Sequence, residues 1–415
     1  MNLPDDFLHE TRSAMGECLF GLLMDGMKAE PPVSIRVNPL KGTAPADGEQ
    51  VPWCRWGYYL LSRPTFTFDP LLHAGCYYVQ EASSMFVDHV VHHLLSSPLS
   101  PITHPSSPIL ALDLCAAPGG KSTALSSALP EGSMLISNET VPKRARILSE
   151  NMQKWMMPEG NPYITNNAAH DFQKTKLLFD LILCDVPCSG EGMFRKNERA
   201  IEEWSLASVK RCQQLQRQIV SDIWPCLRPG GVMIYSTCTF NIHENEENVA
   251  WIAKELDAET IEIPVESEWN ITGPLTGSHP VCRFIPGITR GEGLFMAVLK
   301  KKGLNTDDNF QFKREITGKV KCSRLKIVPN DFLNAYREVA KTPAHCADLS
   351  YEQAIAYLRG EAIVLPPDTP RGMIVVSYQG HPLGLAKNIG NRANNLYPKE
   401  WRIKSTHIPT QEFRN

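Results

Sequence analysis

The 415 residues contain no run approaching the ~18 consecutive apolar residues of a membrane-spanning helix. The first fifteen, MNLPDDFLHETRSAM, lack a basic stretch followed by an apolar one, so no secretory leader is expected. The expectation is a soluble, cytoplasmic protein. There are 12 cysteines but no C-x-x-C pair, so zinc-knuckle and thioredoxin-type sites have no support and no metal is expected. A disulfide framework is not expected without a leader, and most of the cysteines read as small buried apolar residues. A large net charge is lacking too: 42 Lys/Arg nearly balance 45 Asp/Glu, and the net of -3 argues against indiscriminate attraction to nucleic acid. Two phosphate-binding fingerprints are missing. G-x-G-x-x-G does not occur, and Gly120-Lys121-Ser122 ends a P-loop pattern that has Cys115 where Gly is required.

What is present is long enough for two or three domains. Residues 1–75 hold an amphipathic helix over Phe7 to Met27 and two short strand candidates, Ser34 to Pro39 and Tyr58 to Ser62. Helical spacing of Ala82, Met85, Phe86, His89 and Val90 predicts a helix over Tyr77 to Leu95, followed by a Pro/Ser-rich loop, 96–108. From Ile109 to Lys302 apolar strands alternate with helices. Strands are expected at Ile109–Cys115, Ser133–Glu139, Pro162–Asn166, Phe179–Asp185, Val232–Ser236 and Leu294–Lys300. Strands ending in acids and separated by helices specify a doubly wound, Rossmann-like α/β sheet. From Gly303 onward 16 Lys/Arg face 11 Asp/Glu, and six of the basic residues fall within 313–326. This last region, 303–415, reads as a small β-rich module behind a basic strip suited to docking phosphate or simply to solvation.

In an open α/β sheet, ligands bind at the carboxyl ends of strands near the switch point. The first strand of the alternating region ends in Asp113-Leu-Cys-Ala-Ala-Pro-Gly-Gly-Lys121, and the second ends in Glu139. Gly119 and Gly120 let the backbone turn closely around a ligand, and an acid like Glu139 can accept hydrogen bonds from ribose hydroxyls. A nucleoside lacking pyrophosphate fits such a turn, as S-adenosylmethionine does; an ordinary strand–helix turn is the plain alternative. Two cysteines follow the next strand ends, in Asp185-Val-Pro-Cys188 and Ser236-Thr-Cys238. Neighbouring parallel strands lie about 4.8 Å apart, so both thiols can share one pocket. Cytosine C5 takes a methyl group only after a thiolate adds at C6, and that chemistry needs a nucleophile, an acid near N3, a base and a cofactor. The residues alone leave open which cysteine attacks.

The segments DLCAAPGGK, DVPCSGEGMFRK and STCT, together with SIRVNP and YYVQEASSM, resemble the Sun-type RNA (cytosine-5) methyltransferases. The C-terminal LRGEAIVLP and GHPLGLAKNIGNRANNLYPKEWRI resemble the PUA-like RNA-binding module of the RsmF-like, 16S rRNA-modifying members. The resemblance implies an N-terminal RNA-binding domain over 1–75, a catalytic domain over 76–302 and a PUA-like region over 303–415. It implies Cys238 as the nucleophile and Cys188 as the group that helps resolve the adduct, with Asp185 near N3 and Lys121 beside the cytosine. Cys115, Ala116, Ala117, Pro118, Gly119, Gly120 and Lys121 would wrap the methionine end of S-adenosylmethionine. Glu139 would hold the ribose, Asp171 the adenine amino group, and Asp185 would border the cofactor.

A cytosine must leave its stack to meet a thiol at C6, so the implied partner is RNA, above all 16S rRNA or the small ribosomal subunit. Arg36, beside Asn38, is expected to contact RNA, with Lys41, Arg55 and Arg63 as further phosphate candidates. Trp53, Trp56, Tyr58 and Tyr59 could stack on bases but read better as core. A monomer without metal or membrane partner is expected. Transfer RNA is the nearest rival substrate. A small-molecule methyltransferase would not need both cysteines, and a non-catalytic RNA-binding assembly factor would not need the cofactor turn.

Overall fold

A computed structural model describes residues 2–96, 108–157, 160, 162–303, 324–342 and 345–405. Three sheets organise them. The first has the order β2-β3-β1-β4, with β1 Val33–Val37, β2 Glu49–Gln50, β3 Gly57–Leu60 and β4 Tyr77–Val79. The sequence-expected helix over Tyr77 to Leu95 is therefore shorter. Its first residues pair antiparallel with Ile35–Val37, and the α-helix proper is Phe86–Ser96. The backbone hydrogen bonds offered by the edge of β1 outweigh the helical periodicity at Tyr77–Val79. The expected boundary at residue 75 thus lies just ahead of a strand belonging to the first sheet.

The central sheet runs β10-β12-β9-β8-β5-β6-β7, with β11 also on β12. Its strands are β5 Leu110–Asp113, β6 Met134–Asn138, β7 Tyr163–Thr165, β8 Phe179–Asp185, β9 Leu227–Thr237, β10 Ala258–Ile261, β11 Cys282–Phe284 and β12 Leu294–Lys301. Pairing is parallel from β7 to β9 and antiparallel at β12. Both faces are covered, which explains the unbroken apolar runs. Ala111, Leu181, Leu183, Val232 and Ile234 pack with Phe86, Val90, Ala124 and Leu125 on one face. Leu110, Leu112, Ile182, Met233 and Tyr235 pack with Val220, Ile223, Val249 and Ile252 on the other. The chain winds outward from β5 to β7, returns to β8, and so opens its switch point between β5 and β8. The long helix Leu206–Ile223 stops before Pro225, which sits in a 3-10 turn instead of distorting a last α-turn.

The third sheet has the order β13-β14-β15-β16, from β13 Cys346–Asp348, β14 Gly372–Tyr378, β15 His381–Asn388 and β16 Ala393–Asn395. It docks on the first unit rather than standing apart: Phe68, Ala74 and Cys76 share a core with Ile355, Leu358, Val376 and Leu383. Leu333, Tyr336 and Leu385 close over Met157 from the central domain. Most of the basic strip and of the loop 96–108 lies outside the described residues. Of the strip's described residues, Arg324 donates to the Lys174 carbonyl and the Lys326 backbone pairs with Asn166 and Asn167.

Arg36 and Asn38, expected at an RNA-contacting surface, are buried instead. Arg36 is 1% exposed. Its guanidinium donates to Gln80 Oε1, to the Gly120 carbonyl and to Thr123 Oγ1, and stacks 4.4 Å over Trp155. Asn38 is equally buried and donates to the Gly75 and Trp155 carbonyls. Lys41 is bound to three carbonyls, those of Ala74, Lys154 and Met157. The motif ties the N-terminal sheet to the turn that follows β5. A row of fixed acceptors on neighbouring elements, not phosphate, satisfies these donors. Trp53 and Tyr59 are core residues, as their composition suggested.

Candidate active site

Both strands flanking the switch point end in loops that meet over a cavity of about 360 Å³. Asp113, Cys115, Ala116, Ala117, Pro118, Gly120 and Lys121 form one wall. Gly119 has φ +118°, a conformation that a side chain would strain, and it caps the helix Gly120–Ala128 that carries Lys121. Asp113 is fully buried. Ser122 donates to its Oδ2 at 2.6 Å, while Oδ1 has no hydrogen-bond partner. Burial pushes its carboxyl up to about 7, against the hydrogen bond from Ser122. An unpartnered buried acceptor on the cavity wall fits a cationic or N–H-bearing ligand.

Asp185 and Cys238 also line the cavity. Asp185, at the end of β8, accepts from Lys121 Nζ at 2.9 Å. Burial alone would lower the Lys121 pKa, but Asp185 first and Cys238 after it raise it. Cys238 follows β9, lines the cavity, and lies 3.3 Å, sulfur to sulfur, from Cys188. Cys188 sits behind it, also accepting the Cys238 N–H at 3.4 Å. The hydrogen bond to Cys238, and then burial, push the Cys188 thiol well up. The register Asp185↔Ser236 across β8 and β9 explains the meeting: each cysteine lies two or three residues past the same sheet edge.

Two buried carboxylates fix these loops. Glu191 accepts from Trp204 Nε1, the Phe240 and Asn241 backbone and Asn241 Nδ2. Glu244 accepts from the Ser189 backbone, Gln216 Nε2 and Asn241 Nδ2. Neither was singled out in the sequence, although Glu191 lies inside the SGEG segment.

Not every expected residue reaches the cavity. Glu139 is buried beyond β6, where it accepts from the Val141 backbone and faces Arg144 at 3.4 Å. Arg144 also donates to the Ala117 carbonyl, so it links the acid to the 115–121 turn. Asp171 caps the 3-10 segment after β7, accepting from the Ala168 backbone and Lys174. Neither acid is among the residues lining the cavity. Conversely, the cavity gains Tyr78, Gln80, Glu81 and Ser84 from β4 and its exit, and Lys196, Glu292, Gly293 and Leu294 from elsewhere. Gln80 and Glu81 stood in the YYVQEASSM segment, whereas Glu292 gave no signal because its neighbours in space are distant in the chain. Among the described residues, no group of three potential ligands could hold a metal.

Three family models cover the chain: the N-terminal domain of 16S rRNA methyltransferase RsmF over 3–82, 16S rRNA methyltransferase RsmB/F over 102–300, and the methyltransferase RsmF PUA domain over 344–403. The ribosomal RNA small subunit methyltransferase F of Salmonella agona is 30% identical, with 96% of each chain covered. That of an Enterobacter species is 28% identical over 96% of this chain and 95% of its own. Two solved structures from Pyrococcus horikoshii share the fold. A methyltransferase homolog has TM-score 0.59 and 23% identity, covering 72% of this chain and 95% of its own. NSun6 with SFG has TM-score 0.60 and 19% identity, covering 72% and 99%. With a relative of this identity aligned from end to end, and with all three of its domains matched, the chain belongs to the RsmB/F family of 16S rRNA methyltransferases, in the RsmF form.

Proposed function

We propose that this protein methylates C5 of a cytosine in 16S rRNA through a covalent Cys238–C6 adduct. The observation that carries the reading is the thiol pair 3.3 Å apart, with Cys238 alone lining the cavity that Lys121, Asp185 and the 115–121 turn also line. A small-molecule methyltransferase has no use for that pair. The turn Cys115–Lys121 and Asp113 would hold the methionine end of the cofactor, with Glu139 at the ribose and Asp171 at the adenine amino group. S-adenosylmethionine, when bound, supplies the methyl group that the activated C5 takes.

The chain's own residues do the rest. Cys238 Sγ, as thiolate beside the Lys121 ammonium, forms a bond to C6 and pushes electron density toward N3 and C5. The Lys121–Asp185 pair stabilises the charge arriving near N3, the ammonium supplying the donor and the carboxylate orienting it. A water molecule takes the C5 proton, the C5–H electron pair re-forms the C5=C6 bond, and the C6–S bond breaks to return Cys238 as thiolate; Cys188, held protonated beside it, helps resolve the adduct by hydrogen-bonding the departing sulfur. Residues 1–75, 76–302 and 303–415 serve as RNA-binding, catalytic and PUA-like parts of one working unit, with RNA of the small ribosomal subunit as the partner. The packing of the third sheet on the first supports reading them as one body for folded RNA.

The test is a covalent trap. Wild type, Cys188→Ala and Cys238→Ala are incubated with S-adenosylmethionine and small-subunit rRNA and run on a denaturing gel. The expected result is a protein–RNA adduct that accumulates with Cys188→Ala and is absent with Cys238→Ala. The reverse pattern makes Cys188 the nucleophile. Adduct with transfer RNA but not with rRNA overturns the substrate.

A further inference from the structure

Among the described residues, two cations line the cavity: Lys121 is hydrogen-bonded to its own carboxylate, Asp185, whereas Lys196 shares one with Arg195. Lys196 stands on the same cavity wall with its side chain 37% exposed. Its neighbour in space is Glu292, whose Oε1 lies 2.9 Å from Nζ. That approach is off the line of a hydrogen bond, since Oε1 counts as a buried acceptor without one. Glu292 is also already neutralised. Arg195 grips its Oε2 through Nε and Nη2 at 2.9 and 2.7 Å, and both side chains of that pair are 5% exposed. Arg195 is further fixed by the Gly26 and Gly291 carbonyls. One carboxylate thus faces two cations, and the half-exposed one is in surplus. The nearby acid Glu81 does not change this, because its oxygens accept the backbone N–H groups of Ser83, Ser84 and Glu292.

We propose that Lys196 is a phosphate subsite, which binds the backbone phosphate of the target nucleotide at the mouth of the cavity. The inference rests on the RNA reading above. A base that has left its stack to reach Cys238 carries its own phosphate to the rim of the same cavity, since base and phosphate belong to one nucleotide. A half-exposed ammonium whose carboxylate partner is already compensated by Arg195 is the complementary group. Glu292, anchored by Arg195, keeps the long Lys196 side chain extended toward the cavity before RNA arrives. It can then yield the ammonium to phosphate at little cost, because Arg195 still compensates its charge. Lys196 is on this view a binding and positioning residue and takes no part in bond making.

The experiment compares wild type, Lys196→Ala and Lys196→Arg in C5 methylation of a small-subunit rRNA fragment across a salt series. Lys196→Ala is expected to raise KM for RNA about tenfold, the worth of one charge-assisted hydrogen bond. It should also lower the slope of log affinity against log salt by about one. Lys196→Arg should restore both, and KM for S-adenosylmethionine should not move in either variant. An unchanged RNA KM and slope would overturn the subsite and leave Lys196 as a surface ion pair. A raised KM for S-adenosylmethionine with unchanged RNA slope would assign the ammonium to the cofactor carboxylate instead. If wild type itself does not methylate cytosine C5 in the fragment, it is the functional reading that fails.

Discussion

Replacing Arg36 by Met separates a buried structural cation from an RNA contact. The guanidinium is fully enclosed and bridges Gln80, Gly120 and Thr123. Methionine fills similar length but donates nothing. The Gly120 carbonyl keeps the hydrogen bond from Thr123 Oγ1, so Gln80 Oε1 is the acceptor left bare. A buried acceptor without a donor costs about 1–3 kcal/mol. Loss of the stack on Trp155 adds about 1–2 kcal/mol for a desolvated cation–π pair. Relief opposes these losses, because burial draws the Arg36 pKa down to about 10 and the substitution removes that penalty. The net loss is about 2–3 kcal/mol, which for a domain of this size lowers Tm by about 4–12 °C. Thermal unfolding with and without S-adenosylmethionine reads this directly. Cofactor affinity should fall too, since Gly120 belongs to the cofactor turn. The salt slope of RNA binding should stay at the wild-type value. An unchanged Tm with a slope lowered by about one would refute the structural role and return Arg36 to the RNA interface.

Two further outcomes follow from the site. Asp113 titrates near 7 when folded and near 3.8 when unfolded, so the folded state binds more protons between those values. Stability without cofactor should therefore fall, by roughly 1 kcal/mol per pH unit, as pH rises from about 4 to 7; Tm measured across that range should be flatter for Asp113→Asn, and parallel profiles would count against it. In Gly192→Ala, the new Cβ would stand 2.8 Å from the Gly293 carbonyl oxygen and 2.9 Å from that of Cys238, both backbone. With Cys238 as the proposed nucleophile, shifting it by even a fraction of an ångström should lower kcat by about 10- to 100-fold with KM for S-adenosylmethionine little changed; steady-state kinetics decide, and a wild-type kcat would count against that role.

The central sheet was legible because its strands are buried on both faces and three of them are closed by an acid, Asp113, Glu139 or Asp185, a pattern local in the chain. The meeting of the 115–121 turn and both cysteines at one sheet edge was legible for the same reason: each follows a strand, and parallel strands in register bring their ends together. Arg36 was misread. Its residue type and motif show that a cation is required, but whether its acceptors are carbonyls or phosphates depends on which surface packs over it. Glu191 and Glu244 escaped notice because a carboxylate bound by backbone N–H groups leaves no periodic trace.

By itself the sequence determined which residues alternate between apolar strand and helix, where glycine must turn the chain, and which thiols and acids stand at strand ends. Those are properties of neighbours along the chain, set by sterics and by the period of burial. Only the tertiary structure decided that Cys238 lines the cavity while Cys188 stands behind it. It alone brought Lys196 and Glu292, 96 positions apart, together in the lining of the cavity, and it turned the Arg36 segment inward against the 115–121 turn. Contacts of that kind depend on how whole elements pack, and packing is fixed by complementary surfaces that no single stretch of chain contains.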